Sequence, residues 1–191
     1  MPIYTKKGDK GTTKLLYDAR KRSKSSCRVR SLGEIDELNS FVGAVNALVK
    51  EKKIKEMLTK VQHDLFRVQM DVASKGKALA QEYITPISEE HVLWLEKHID
   101  AMQSTLTLLN KFILPGGSPA GSLCQVARAV CRRAERELTA LKEKEKVNPA
   151  IAKYLNRLSD FLFVTARFIN KEERKKEIFP DYYSANKKKS P

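Results

Sequence analysis

Cysteine is scarce in this chain, and the few present are poorly placed to staple it. The 191 residues hold three, Cys27, Cys124 and Cys131. They are odd in number and none are spaced as C-x-x-C, which argues against a disulfide framework and a structural zinc site and fits a reducing cytoplasm. Long apolar runs are missing as well. No stretch of about 18 apolar residues exists, so no membrane-spanning helix is expected. The opening MPIYTKKGDKG lacks the apolar centre of a secretory signal and the amphipathic Arg/Ser pattern of a transit peptide, so a cytoplasmic location is expected. Histidine is rare: His63, His91 and His98 are the three, and none has Glu at i−3. That excludes the paired Glu-x-x-His motifs of a di-iron bundle. A lone His63 in Gln62-His63-Asp64 is read as a structural hydrogen-bonding group rather than a catalytic one. The Walker A pattern G-x-x-x-x-G-K-[ST] is absent too.

Acidic residues are outnumbered. Lys and Arg total 37 against 23 Asp and Glu, a net charge of +14. Residues 1–30 carry ten of the cations against Asp9 and Asp18 alone. Such a patch suits nucleic acid, a phosphorylated small molecule or mere solubility, and charge by itself does not choose.

The rest of the chain has helical periodicity, and alternating runs die out after a few residues. Ser31-x-x-Glu34 reads as a capping box opening a first helix with Leu32, Ile35, Leu38, Phe41, Val42, Val45, Leu48 and Val49 on one stripe. A second helix, about 54–82, buries Met57, Leu58, Val61, Leu65, Val68 and Val72. Thr85-Pro86 breaks the chain, and Ser88 caps a third helix to about 109. Ser118-Pro119 opens a fourth to about 144, and Asn148-Pro149 a fifth to about 173. Short connections favour antiparallel neighbours. The expectation is a single all-α domain. An irregular basic arm (1–30) precedes an antiparallel bundle of about five helices (31–173), and a flexible basic tail (174–191) follows.

Three segments carry candidate chemistry. Thr5-Lys6-Lys7-Gly8-Asp9-Lys10-Gly11-Thr12-Thr13 combines glycines, hydroxyls and lysines, which can surround a phosphate or form an ordinary polar turn. The fourth helix places Arg128, Arg132 and Arg136 at i, i+4 and i+8, a row whose planar forks grip phosphate oxygens. On the fifth helix Asn156, Ser159 and Asp160 share a face that can read an adenine or ribose, or form an inter-helix polar network.

Taken together, TKKGDKGTT, GEIDELNSFVG, VQHDLF, FILPGGSPAGSLCQVARAVCRRAER and YLNRLSDFLF resemble the PduO-type ATP:cob(I)alamin (corrinoid) adenosyltransferases, in family order and over about residues 3–170. The resemblance implies a ferritin-like, up-down five-helix bundle that assembles as a homotrimer with active sites between subunits. It implies transfer of the 5′-deoxyadenosyl group of ATP to Co(I) of cobalamin, releasing triphosphate, with Mg²⁺ on the phosphates rather than on protein side chains. The implied ATP contacts are Thr5, Lys6, Lys7, Gly8, Thr13 and Lys24 from the arm, with Arg132, Arg133, Glu135, Arg136 and Asn156 from the bundle. Arg132 and Asn156 are the implied catalytic pair, and Arg132 steers the triphosphate. Asp36 and Arg128 match an intersubunit pair, and Phe112 matches the aromatic beneath the corrin ring. One departure stands out: Lys7 occupies a position where the family arm carries Thr or Ser. Lys24 aligns only with a one-residue length change after Thr13.

The implied partners are a corrinoid reductase and a B12-dependent acceptor enzyme, with no nucleic acid and no membrane. A nucleic-acid module would need stacking aromatics or a recognition helix, and the arm offers only Tyr4 and Tyr17. A carrier or sensor that binds ATP or corrinoid without turnover is the other alternative.

Overall fold

Apolar residues at three- and four-residue steps build the interior. In the computed structural model, which describes residues 3–75 and 85–181, Ile35, Leu38, Val42 and Val45 of the first helix are fully buried. So are Leu58, Val61, Leu65 and Val68 of the second and Tyr154, Leu155, Leu158 and Leu162 of the last. The elements are β1 (Thr12–Lys14), β2 (Lys21–Ser23), α1 (Cys27–Leu48), α2 (Lys52–Ser74), α3 (Glu89–Gln103), α4 (Pro119–Lys142) and α5 (Pro149–Glu172). The protein is a helical bundle with one small two-stranded sheet.

Side-chain pairs fix the directions. Ser31 and Arg30 of α1 meet Glu137 of α4, while Glu34 and Glu37 meet Arg133, so the two helices run antiparallel. Cys124 and Cys131 of α4 face Leu162 and Leu155 of α5, again antiparallel. The neighbours α3 and α5 run the same way, because Glu89, Glu96 and Met102 meet Lys153, Arg157 and Thr165 in that order. One end of the bundle therefore gathers the 104–118 connection, the start of α4 and the end of α5. The arm joins α1 at the other end, beside Lys144 and Glu145.

Four expectations change. The arm is not irregular but forms an antiparallel hairpin with Thr12 opposite Ser23, Thr13 opposite Arg22 and Lys14 opposite Lys21. β-branched threonines favour the extended backbone, and Asp18 closes the loop by accepting from the Arg20 amide (3.1 Å) and Arg22 Nε (2.9 Å). The first helix starts a turn before Ser31, which is buried and donates to the carbonyls of Cys27 (2.9 Å) and Glu137 (3.1 Å) instead of capping. Arg28 holds that extra turn: its buried guanidinium bonds the Val72 carbonyl and Glu145. The third helix stops at Gln103 because the Ser104 and Thr105 hydroxyls bond the last-turn carbonyls of Ala101 and Met102.

Finally, the chain past 174 does not hang free. Glu177 pairs with buried Arg167, and the Ile178 carbonyl accepts from the Leu114 amide at 2.7 Å. The expected continuation of the second helix beyond Lys75 and the tail beyond Asp181 lie outside the described residues.

His63 is exposed, whereas Asp64 beside it is fully buried. Asp64 accepts from Lys60 (2.6 Å), Arg67 (2.7 Å) and the Tyr154 hydroxyl (3.3 Å), tying α2 to α5. Burial first, then the Asp64 charge, keeps the Tyr154 phenol protonated.

Candidate active site

The Gly8–Gly11 turn folds as its composition suggests. Gly11 donates to the Gly8 carbonyl (3.2 Å) and adopts a positive φ of 72°, in the left-handed region glycine tolerates. Its own carbonyl accepts from the Lys24 amide at 2.9 Å, so the turn and the end of β2 are laced together. Between them opens a cavity of about 610 Å³ lined by Thr5, Lys7, Gly8, Thr13 and Lys24. Thr12, Lys14 and Lys21 complete the lining. Four ammonium groups and three hydroxyls around one hollow have the charge and donors that suit phosphate. Lys7, standing where a hydroxyl was expected, contributes a cation to it. Lys6 is not in the lining; its Nζ lies 5.8 Å from the ring centroid of Tyr4. Lys14 and Lys21 were missed because only the hairpin register brings them opposite one another.

A second cationic surface lies at the α4–α5 seam. Asn156 Nδ2 donates to Glu135 Oε1 at 3.0 Å, and Arg136 Nη1 donates to the Arg132 carbonyl at 3.1 Å. Among the described residues no carboxylate lies within 4.0 Å of the guanidinium of Arg132 or of Arg136. Glu135 is held by Asn156 rather than by a cation. Two arginines thus face solvent without a counterion, beside an amide-anchored carboxylate. Unpaired cations of this kind are poised for an anion. Ser159, three residues on, is buried and donates to the Asn156 carbonyl at 2.8 Å, while Asp160 pairs with Arg157.

Arg133 is employed differently. It turns to α1 and bonds Glu34 and Glu37, and these bonds, Glu34 foremost, raise its pKa further. Asp36 accepts from Gln69 Nε2 (3.1 Å), and Arg128 Nε donates to Gln125 Oε1 (2.7 Å), so the two do not pair within the chain.

Arg128 instead reaches a third feature. With Leu109, Ile113, Pro115, Gln125 and Phe163 it lines a cavity of about 580 Å³ beside Phe112, whose side chain is 78% exposed. The Pro115-Gly116-Gly117-Ser118 segment fixes this wall. Ser118 caps α4 by accepting from the Gly121 amide (3.1 Å), and its own amide donates to Asn170 Oδ1 (2.9 Å). Asn170 Nδ2 returns a bond to the Gly116 carbonyl at 2.8 Å. Below, the Cys124 and Cys131 thiols donate to the Leu162 and Leu155 carbonyls, both at 3.2 Å. Burial pushes Cys124 up to about 12 and Cys131 higher still, so neither is a thiolate nucleophile at neutral pH.

The described residues therefore present an apolar-walled cavity with an exposed aromatic, a lysine-lined hollow and unneutralised arginines, with both buried thiols held protonated. Residues 3–169 match the family of cobalamin adenosyltransferases. The chain belongs to that family. It is a transferase that moves the adenosyl group of ATP to cobalamin.

Individual relatives agree. The chain is 43% identical over 175 residues to the corrinoid adenosyltransferase of Bacillus subtilis (strain 168), covering 89% of this chain and 87% of that one. It is 38% identical over 167 residues to the corrinoid adenosyltransferase PduO of Citrobacter freundii, covering 87% of this chain and 49% of that one. Among solved structures, a variant of the PduO-type ATP:corrinoid adenosyltransferase from Lactobacillus reuteri, complexed with cobalamin and ATP, superposes with a TM-score of 0.86. It is 34% identical and covers 94% of this chain and 99% of its own.

In this adenosyltransferase the surfaces are unevenly distributed. Arg28 and Cys27 set the arm against Glu145 and Lys144, whereas Phe112 lies before the start of α4. The 24 residues of α4 separate those ends by about 36 Å.

Proposed function

We propose that adenosyl transfer takes place between subunits of a homotrimer, with the arm of one chain and the Arg132 face of its neighbour enclosing ATP. The observation that carries this reading is the pair of uncompensated guanidiniums, Arg132 and Arg136, beside Glu135–Asn156, together with a lysine-lined hollow on the arm of the same chain whose lining includes neither arginine. Each is half of a polyphosphate site. A second copy supplies the other half, and Asp36 and Arg128, unpaired with each other in one chain, are the contacts that join the two copies.

The division of labour follows from the chemistry. Co(I) is itself a strong nucleophile toward the C5′ carbon of ATP, so the protein needs no Ser, Cys or His to attack. Its residues orient the two reactants and stabilise the departing triphosphate. Lys7, Lys14, Lys21 and Lys24, with the Thr5 and Thr13 hydroxyls and the backbone at Gly8, hold the phosphates. Lys6 and Arg133 contribute at the periphery. Arg132 lies toward the bridging oxygen and takes up charge as the bond breaks, and Asn156 orients Glu135 and the nucleoside. Phe112 covers the lower face of the corrinoid and excludes an axial ligand, which eases reduction of Co(II).

Among the described residues no three His, Cys, Asp or Glu side chains converge. Glu135, which Asn156 holds, is a carboxylate that would help hold a Mg²⁺ carried in by ATP; when bound, the ion would share the phosphate charge. Three free cysteines support a cytoplasmic setting, and no helix among the described residues is long and apolar enough to cross a membrane. A corrinoid reductase and a B12-dependent acceptor are the partners that such a reaction needs upstream and downstream.

The test is an anaerobic assay with ATP, Mg²⁺ and chemically reduced cobalamin. Loss of the Co(I) spectrum in step with triphosphate release is the expected outcome. ATP binding without turnover would replace this reading with that of a carrier or sensor.

A further inference from the structure

At the end of the bundle remote from the arm lies a pocket that adenosyl transfer itself does not require. It measures about 360 Å³ and lies between the Thr105–Thr107 stretch and the chain leaving α5. Arg167, Lys171, Arg174, Lys175 and Lys176 line it, against the single carboxylate of Glu177. Glu177 is consumed by Arg167, whose buried guanidinium also donates to the Thr107 carbonyl at 2.7 Å. Lys171 Nζ donates to the Thr105 carbonyl at 2.8 Å. Arg174, Lys175 and Lys176 have no ion-pair partner among the described residues.

The backbone is arranged to put them there. Arg174 adopts a φ of 53°, in the left-handed region, and the Lys175 amide closes on the Asn170 carbonyl at 2.8 Å. That reversal brings three consecutive cations to one rim, and the Ile178–Leu114 bond fastens the segment.

The pocket and the Phe112 cavity flank a common cleft. Phe163 lines that cavity and also an intermediate cleft. Arg167, one helical turn further along α5, lines both the cleft and the basic pocket. The step between them is about 6 Å.

We propose that this pocket binds the phosphodiester of cobalamin's nucleotide loop after the base has left the cobalt. The inference rests on the reading that Phe112 closes the lower corrin face. Closing that face forces the base and its loop aside, and the loop carries one fixed negative charge, the phosphodiester. Triphosphate is the other anion in the reaction, but it departs from the upper face, where the adenosyl group is delivered. Arg174, Lys175 and Lys176 meet the phosphodiester oxygens through charge-assisted bonds. Arg167 and Lys171, anchored by their carbonyl and carboxylate contacts, form the floor. The site so holds the base-off form of the substrate and stores the displaced loop.

Cobinamide, which lacks the nucleotide loop and its phosphate, separates the possibilities. The probes are the unreactive Co(II) forms of cobalamin and cobinamide, titrated in the presence of ATP against wild-type protein and the Lys175→Glu/Lys176→Glu variant. Both lysines are exposed, so the fold tolerates the change. The Kd for cobalamin should rise about tenfold, and that for cobinamide should stay within about twofold. The KM for reduced cobalamin should rise in parallel, with that for ATP constant. Equal weakening of both corrinoids, or an unchanged cobalamin Kd, overturns the proposal. If inorganic triphosphate inhibits cobinamide turnover by wild type but not by the variant, the pocket serves free product and the proposal also fails. Wild type that consumes neither Co(I) corrinoid would instead overturn the functional reading itself.

Discussion

Asn170 Oδ1 occupies the space that a Cβ on Gly121 would need, and the same side chain fills the place of a Cβ on Gly117. One amide on α5 thus keys into a slot cut by two glycines at the start of α4. Gly117 also sits at a φ of 119°, where a side chain is strained in any case. The slot sets the Phe112-bearing segment on the bundle.

Gly121→Ala should displace Asn170 and forfeit its bonds to Ser118 and Gly116, lowering stability by about 1–3 kcal/mol in denaturant titration. In an Asn170→Ala background the same substitution should cost much less, because the space is then vacant. Additive losses in that double-mutant cycle would disprove the keying.

Arg132 and Arg133 are adjacent in sequence but should fail in different ways. Arg132 carries no ion pair, so Arg132→Ala should leave melting unchanged and cost about 2–3 kcal/mol of transition-state stabilisation, read as a roughly hundredfold fall in kcat/KM. Arg133→Ala removes a partly exposed pair with Glu34 and Glu37, worth about 1 kcal/mol at most, and should act mainly on stability. Near-normal turnover in the Arg132 variant would remove that residue from the mechanism.

The hairpin should be sensitive to acid. The Arg20 amide and the Arg22 guanidinium hold the Asp18 carboxyl down to about 2, below its ordinary 3.8. A group depressed in the folded state stabilises it fully above the unfolded value and loses that contribution as pH falls toward the folded one. The hairpin amides of Thr12–Ser23 should therefore lose dispersion in NMR spectra between about pH 4 and pH 2. Asp18→Asn should abolish that titration and raise the KM for ATP a few-fold at neutral pH. A transition that persists in the variant would assign it to another group.

Phe112→Ala should slow formation of Co(I) from Co(II) far more than it alters ATP affinity, because the ring stands at the cavity proposed for the corrinoid and is not in the lining of the lysine-lined hollow. Anaerobic reduction followed spectroscopically, alongside ATP titration, distinguishes the two. A raised KM for ATP as the sole defect would contradict the assigned role.

Much of this architecture is legible in the residues. The stripes of α1 and α2 are buried as their spacing requires, since a 3.6-residue period leaves few alternatives, except that Leu48 in the last turn of α1 is half exposed. Ser118-Pro119 and Asn148-Pro149 both start helices, because cap and proline chemistry is local. Ser31 misled for the opposite reason. Its hydroxyl serves a carbonyl on α4 as well as one on its own helix, and buried Arg28 extends the helix past it; both are tertiary effects. The hairpin was hidden because its strands are three residues long, too short for alternation to register. Lys14 and Lys21 could be found only by pairing them. The division between Arg132 and Arg133 was equally invisible, since it depends on Arg133 reaching the carboxylates of α1 while Arg132 faces solvent.

That the lysine-lined hollow of the arm includes neither Arg132 nor Arg136 has a genetic corollary for the proposed trimer. A chain crippled in its arm, as by Lys24→Ala, and a chain crippled at Arg132 are damaged in different halves of the shared site. If the protein assembles as the proposed trimer, such subunits mixed at random would form about a quarter of their interfaces from an intact arm and an intact arginine face. Two alleles that are each inactive alone should then complement when co-expressed, whereas two arm alleles should not.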